Sequence, residues 1–172
     1  PIVHRGPDDQ GVHVEPEAGL ALGFRRLAIR DLSPAGHQPM VSASGRYVLV
    51  YNGELYNAEL LEAALAARGI RPRGRSDTEV LLEHLACFGL EPTLERALGM
   101  FAFALWDRST RSLVLARDRL GKKPLYWGLV RGRLLFGSQL KCLLADVSFA
   151  PAIDRAALGL YLRLGYVPGT RS

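Results

Sequence analysis

Met100-Phe101-Ala102-Phe103-Ala104-Leu105-Trp106-Asp107 is the stretch on which the architecture turns. Successive side chains of a strand point to opposite faces, so a run that is apolar at both parities has no face left for water. The reading is a strand covered on both sides, and hence a sheet with a layer above it and another below.

Working outward, residues 113–116, 125–130 and 134–136 read as shorter strands with Gly, Arg and Lys at their turns. Upstream, residues 47–51 form a short apolar run between Gly45 and Asn52-Gly53, which predicts a strand ending in a tight turn. Residues 19–29 alternate small and apolar side chains, and residues 32–40 break into a Ser, Pro, Gly and His loop. Two helices separate these blocks. Asn57 is placed to cap the first, with Leu60, Leu61, Ala64 and Leu65 at helical spacing and Gly69 at its end. Ser76-Asp77-Thr78-Glu79 reads as a capping box for the second, which turns Leu81, Leu82, Leu85 and Phe88 inward and stops at Gly89. Ser138 is placed to cap a helix through Leu144, and residues 151–155 read as a linker into a last helix at 156–164. Helices grouped between blocks of strands predict layered antiparallel sheets rather than alternating βαβ units.

At 172 residues one domain with one core is expected. Apolar residues make up 48% and charged residues 23%, which is ordinary for a globular chain. No apolar run approaches the roughly 20 residues of a membrane span, and the start, Pro1-Ile2-Val3-His4, is no signal peptide and reads as the middle of a longer chain. The net charge of +5 comes mostly from arginine, since Lys122, Lys123 and Lys141 are the only lysines. Its densest cluster, Arg68, Arg71, Arg73 and Arg75, has no aromatic residue within it to stack a base, so no nucleic-acid partner is expected. Cys87 and Cys142 lack metal-ligand spacing and read as two free buried thiols. No metal site is expected, although Asp8-Asp9 is a pair of neighbouring carboxylates. Gly121-Lys122-Lys123 lacks the Gly-rich run and the following Ser/Thr of a phosphate-binding loop.

Eight segments, in order, resemble the glutaminase domain of the asparagine synthetase family. They are His4-Arg5-Gly6-Pro7-Asp8-Asp9, Arg25-Arg26-Leu27-Ala28-Ile29, Gly36-His37-Gln38-Pro39-Met40, Tyr51-Asn52-Gly53-Glu54-Leu55-Tyr56-Asn57, Ser76-Asp77-Thr78-Glu79, Gly99-Met100-Phe101-Ala102-Phe103, the run from Arg117 through Asp118, Gly121 and Pro124 to Tyr126, and Phe136-Gly137-Ser138. The resemblance runs from His4 to the end of the chain. It implies an α+β fold, an N-terminal-nucleophile hydrolase-like sandwich of two antiparallel sheets flanked by helices (α/β/β/α). Residues 1–150 would be the glutamine amidotransferase domain, incomplete at its N-terminus, and residues 151–172 a linker and first helix toward a synthetase domain that the chain lacks.

In that family a cysteine at the mature N-terminus attacks the side-chain amide of glutamine, with its own α-amino group as base. The ammonia passes to an ATP-using domain that activates aspartate. The resemblance therefore implies L-glutamine as ligand, a C-terminal synthetase domain as partner, ATP and Mg only in that domain, no cofactor here, a cytoplasmic setting, and room for a homodimer. Arg26 resembles the residue that binds the glutamine carboxylate, a task suited to a planar guanidinium. Ile29 and Arg30 resemble positions that touch glutamine through backbone. Asp77 resembles the partner of the α-amine, with Glu54 as a second neighbour. Asn52 and Gly53 resemble the donors of the oxyanion hole. Each also has a plain structural reading: Arg26 as a strand-end surface residue, Asp77 as a helix-start carboxylate, Glu54 as a solvated turn residue, and Asn52-Gly53 as a tight-hairpin pair. Phe24 and Gln139 depart from the family's frequent His and Glu, and neither is expected to touch glutamine. The missing cysteine leaves two alternatives open: a glutaminase-inactive paralogue, β-lactam-synthetase-like or acting on a saccharide, or a non-catalytic scaffold.

Overall fold

The apolar run becomes β5 (Gly99–Asp107). It pairs with β4 (Tyr47–Leu55) on one side and β6 (Ser112–Arg117) on the other, and β3 (Met40–Val41) extends the sheet beyond β4. All three pairings of this four-stranded sheet are antiparallel. The computed structural model describes residues 2–27 and 33–168.

Strand alternation sorts the sheet into its two faces. Leu49, Tyr51 and Leu55 of β4 and Phe101, Phe103 and Leu105 of β5 point one way, into a core shared with the helices. Those helices are α1 (Ala58–Ala66), α2 (Asp77–Phe88) and α3 (Leu90–Arg96), of which α3 gave no signal in the sequence. Leu61, Leu65, Leu81, Leu82 and Leu85 from α1 and α2 are all buried there. Each such side chain stabilises the fold by roughly 1.5–3 kcal/mol relative to exposure. Val48 and Trp106 point the other way and meet Leu22 and Phe136. Leu22 belongs to β2 (Leu20–Arg26), which forms an antiparallel hairpin with β1 (Asp9–Glu15). Phe136 belongs to β8 (Arg133–Gly137), paired with β7 (Tyr126–Val130). Arg131 and Gly132 both take positive φ, 49° and 77°, in the two-residue turn whose twist suits such a hairpin. Outside this second layer, α4 (Leu140–Leu144) packs on β7 and β8. The layers are helix, sheet, two separate hairpins and helix, the α+β sandwich expected. Beyond it lies α5 (Arg155–Leu164), capped by Asp154 through the Ala156 and Ala157 N–H groups at 2.8 and 3.1 Å, with none of its residues buried.

A polar clasp fastens the first hairpin to the sheet. Trp106 Nε1 donates to Glu15 at 2.9 Å and Arg108 Nε at 2.6 Å, with His13 at 2.8 Å on the same carboxylate. The His13 contact first, then Arg108, pull the Glu15 carboxyl down to about 2.

Several local expectations change. β4 does not end at Tyr51 but continues to Leu55, so Asn52-Gly53 lies inside a strand and makes no hairpin turn. Asn57 precedes α1 without capping it. Its amide instead reaches α3's end, donating to the Arg96 carbonyl and accepting the Leu98 N–H, both at 2.9 Å. Only half of the capping box forms. Ser76 accepts the Thr78 N–H at 3.2 Å, but Glu79 turns to Arg73 Nε and the Gly74 N–H, because a charged guanidinium together with a second donor serves a buried carboxylate better than the lone Ser76 N–H would. Gln139, not Ser138, precedes α4, with no side-chain cap. Cys87 and Cys142 are free but half-buried rather than buried. Folding brings Phe88 beneath Arg68 at 5.4 Å and Arg96 at 5.8 Å, an aromatic neighbour absent from the sequence cluster.

Candidate functional site

A cleft of about 700 Å³ opens over the hairpin-facing side of the central sheet. Val50, Asn52, Ala102 and Ala104 line its floor, β2 and β8 its flanks, and the start of α2 one end. The floor follows from register. Asn52 pairs with Ala102 and Val50 with Ala104, so the two short alanines leave the space that larger side chains would fill. Arg26, Asn52, Gly53, Glu54 and Asp77 all line this cleft, although they come from three elements. Ile29 and Arg30 lie outside the described residues.

Arg26 ends β2, and its surroundings hold it from both sides. Asp8 N–H donates to the Arg26 carbonyl at 3.1 Å. Gly6 lies against the Arg26 backbone, where a Cβ would come within 2.5 Å of it. Arg26 Nη1 donates to the Ser33 carbonyl at 3.0 Å, and the guanidinium lies over Gly36, where any Cβ would collide with it. Asp9 closes this loop on His37 at 2.8 Å, and that hydrogen bond, first among the causes, holds its carboxyl below the usual range. The His4–Asp9 and Gly36–Met40 segments therefore brace one arginine, which their separation in sequence conceals.

Asn52 and Gly53 sit in mid-strand beside β5. Gly53 is required by that neighbour: a Cβ there would stand 2.7 Å from the Phe101 Cα. A turn does not explain the pair, since Gly53 is not among the positive-φ glycines. Asn52 Nδ2 is buried and makes no hydrogen bond among the described residues. Most buried polar groups are satisfied, and an orphaned amide donor costs free energy without a partner. Its site on the cleft floor places it where a bound acceptor would satisfy it.

Asp77 opens α2 at one end of the cleft, 8% exposed. Its Oδ2 accepts the Tyr51 hydroxyl at 3.1 Å and the Leu55 N–H at 2.9 Å, which tie helix to strand. Among the described residues nothing donates to its Oδ1. It is thus more than a helix-start charge. Glu54 is half-buried at the cleft margin. Sequence reasoning missed Gly36, Tyr51 and Cys142, which also line the cleft. Tyr51 was inferable once β4 was extended, because it neighbours Asn52 and so faces the helices. Cys142 had no signal, since only the packing of α4 on β8 brings its Sγ near Gly137. Phe24 lines the cleft as well.

The four layers and the cleft between the hairpins define an N-terminal-nucleophile hydrolase-like sandwich. The chain belongs to the glutamine amidotransferase domain family, which it matches over residues 1–172. It is 41% identical, over 96% of its length, to the asparagine synthetase (glutamine-hydrolysing) 3 of Bacillus subtilis, and spans 27% of that protein. It is 40% identical to the amidase chry2 of Gibberella zeae over 84% of its length, which is 21% of that protein. Among solved structures it resembles the glutamine phosphoribosylpyrophosphate amidotransferase of B. subtilis, determined with ADP and GMP. That match has a TM-score of 0.61 and 25% identity, over 72% of this chain and 28% of the other. Among the described residues no helix is long and apolar enough to cross a membrane.

Proposed function

We propose that the cleft binds L-glutamine for hydrolysis of its side-chain amide, and that the observation carrying this is the orphaned Asn52 Nδ2. Arg26 takes the α-carboxylate and Asp77, through Oδ1, the α-ammonium, with Glu54 beside it and the backbone at Ile29 and Arg30 completing the contacts. Asn52 Nδ2 and the Gly53 N–H then face the amide oxygen. As a thiolate adds to the amide carbon, charge collects on that oxygen and these donors hold it. The tetrahedral adduct expels ammonia, and water releases glutamate from the thioester. Cys87 and Cys142 are internal and offer no free α-amine, so neither is the nucleophile of this reaction.

In the parent protein, residues 1–150 supply ammonia to a C-terminal synthetase domain that uses ATP and Mg, in the cytoplasm. Residues 151–172 lead toward that domain, and the unburied α5 packs on it. Support comes from the relatives, whose names include glutamine hydrolysis and of whose length this chain spans about a quarter. Retention of three separate recognition elements in one cleft weighs against a scaffold.

The test is a thermal-shift titration. L-glutamine should raise the melting temperature with increasing concentration, as any ligand selective for the native state does. Arg26→Ala and Asp77→Asn should abolish the rise. No shift at tens of millimolar, or a shift retained in both variants, rejects the assignment. Glutamate formation that disappears in Cys87→Ser or Cys142→Ser would overturn the exclusion of those two thiols.

A further inference from the structure

We infer that Gln38 is a positioning residue that sets the span between the two ends of the cleft and so selects the ligand's side-chain length. The inference rests on the glutamine reading above.

The two ends belong to different elements: Asn52 to β4 and Asp77 to α2. Their separation depends on the bonds that join strand to helix. Gln38 supplies a bridge from a third segment. Its Oε1 accepts the Tyr51 N–H at 2.7 Å, and its Nε2 donates to Thr78 Oγ1 at 3.3 Å. Tyr51 and Thr78 are the immediate chain neighbours of Asn52 and Asp77. The amide can stand only one way round, because a backbone N–H only donates. Gln38 and Thr78 are each 4% exposed, so water does not substitute for either bond. The backbone of Gln38 is itself held against β1, where Gly11 leaves no room for a Cβ beside the Gln38 carbonyl oxygen. Tyr51 and Leu55 brace the same junction through Asp77 Oδ2.

This truss holds an ammonium-binding carboxylate and an amide-binding donor at one fixed spacing. Asparagine carries the same three groups as glutamine on a chain shorter by one carbon–carbon bond. It reaches one end or the other, not both. The clamp therefore contributes to selectivity between the two amino acids, beyond its contribution to the fold.

Calorimetric titration of L-glutamine and L-asparagine separates these roles. The unaltered chain should favour glutamine by about 10-fold or more, the range that one methylene commands in a fitted pocket. Thr78→Val, which keeps shape but removes the acceptor, and Gln38→Met, which removes both polar ends, should cut that preference to roughly 3-fold or less. Thr78→Ser keeps the hydroxyl and should restore it. Equal weakening of both ligands, or an unchanged preference in the two variants, overturns the inference, since a bridge that only supports the fold would affect both alike. Should one variant fail to melt cooperatively, the other decides. If the unaltered chain binds neither amino acid, the glutamine reading itself fails, and the inference with it.

Discussion

Asn52→Leu should make the free protein more stable. Asn52 Nδ2 is buried without an acceptor among the described residues. An unsatisfied buried donor costs about 1–3 kcal/mol, and an apolar side chain of similar shape removes that cost. Leucine at this position would lie between Val50 and Ala102 on the cleft floor, beside residues of its own kind. For a chain of this size 1 kcal/mol moves the melting temperature by roughly 2–4 °C. A gain of roughly 2–12 °C is expected, matched by a higher urea midpoint at unchanged slope. In a parent form that carries the nucleophile, Asn52→Ala should slow turnover by about 10²–10³-fold with binding little changed, the usual effect of losing one oxyanion donor. A leucine variant destabilised by about 1 kcal/mol or more would refute the reasoning, because it would mean that Nδ2 has a structural partner.

Gly36→Ala should weaken glutamine binding by about 10-fold or more by displacing the Arg26 guanidinium, with Gly36→Ala/Arg26→Ala no worse than Arg26→Ala alone; equal additivity in the calorimeter would deny the coupling. Glu15 is held down to about 2 from an ordinary 4.5, so its contribution is present above pH 4.5 and lost as pH falls toward 2; Glu15→Gln should flatten the urea midpoint over that window, and an unchanged pH profile would count against the clasp. Asp118 is buried, which opposes its charge, yet the N–H groups of Lys123, Lys122, Phe101 and Leu120 hold its carboxyl low. Asp118→Ala should therefore cost on the order of 3 kcal/mol in chemical denaturation and loosen the cleft wall at Lys123 and Pro124; a loss under about 1 kcal/mol would show that the loop holds itself.

Local order determined much of this protein. The doubly apolar run at residues 100–107 predicted a covered central strand, and Phe103 and Trp106 are buried on opposite faces of it. The glycine stops at Gly69 and Gly89 marked α1 and α2, because positive φ values of 76° and 86° are conformations that glycine adopts without strain. The motif segments marked Arg26, Asn52, Gly53, Glu54 and Asp77 as lining candidates, and all five meet at one cleft. What the sequence misread were choices between local and distant partners. Asn-Gly has a strong turn propensity, but nine residue pairs with β5 outweigh it and carry β4 through to Leu55. Asn57 and Glu79 could have satisfied their own helix termini, and each found a better-placed group elsewhere. The orphaned amide of Asn52, the clearance over Gly36 and the Gln38 bridge belong to tertiary structure alone. Each depends on which atoms from distant segments come within hydrogen-bonding or contact distance, and a sequence pattern carries residue type and period but not that distance.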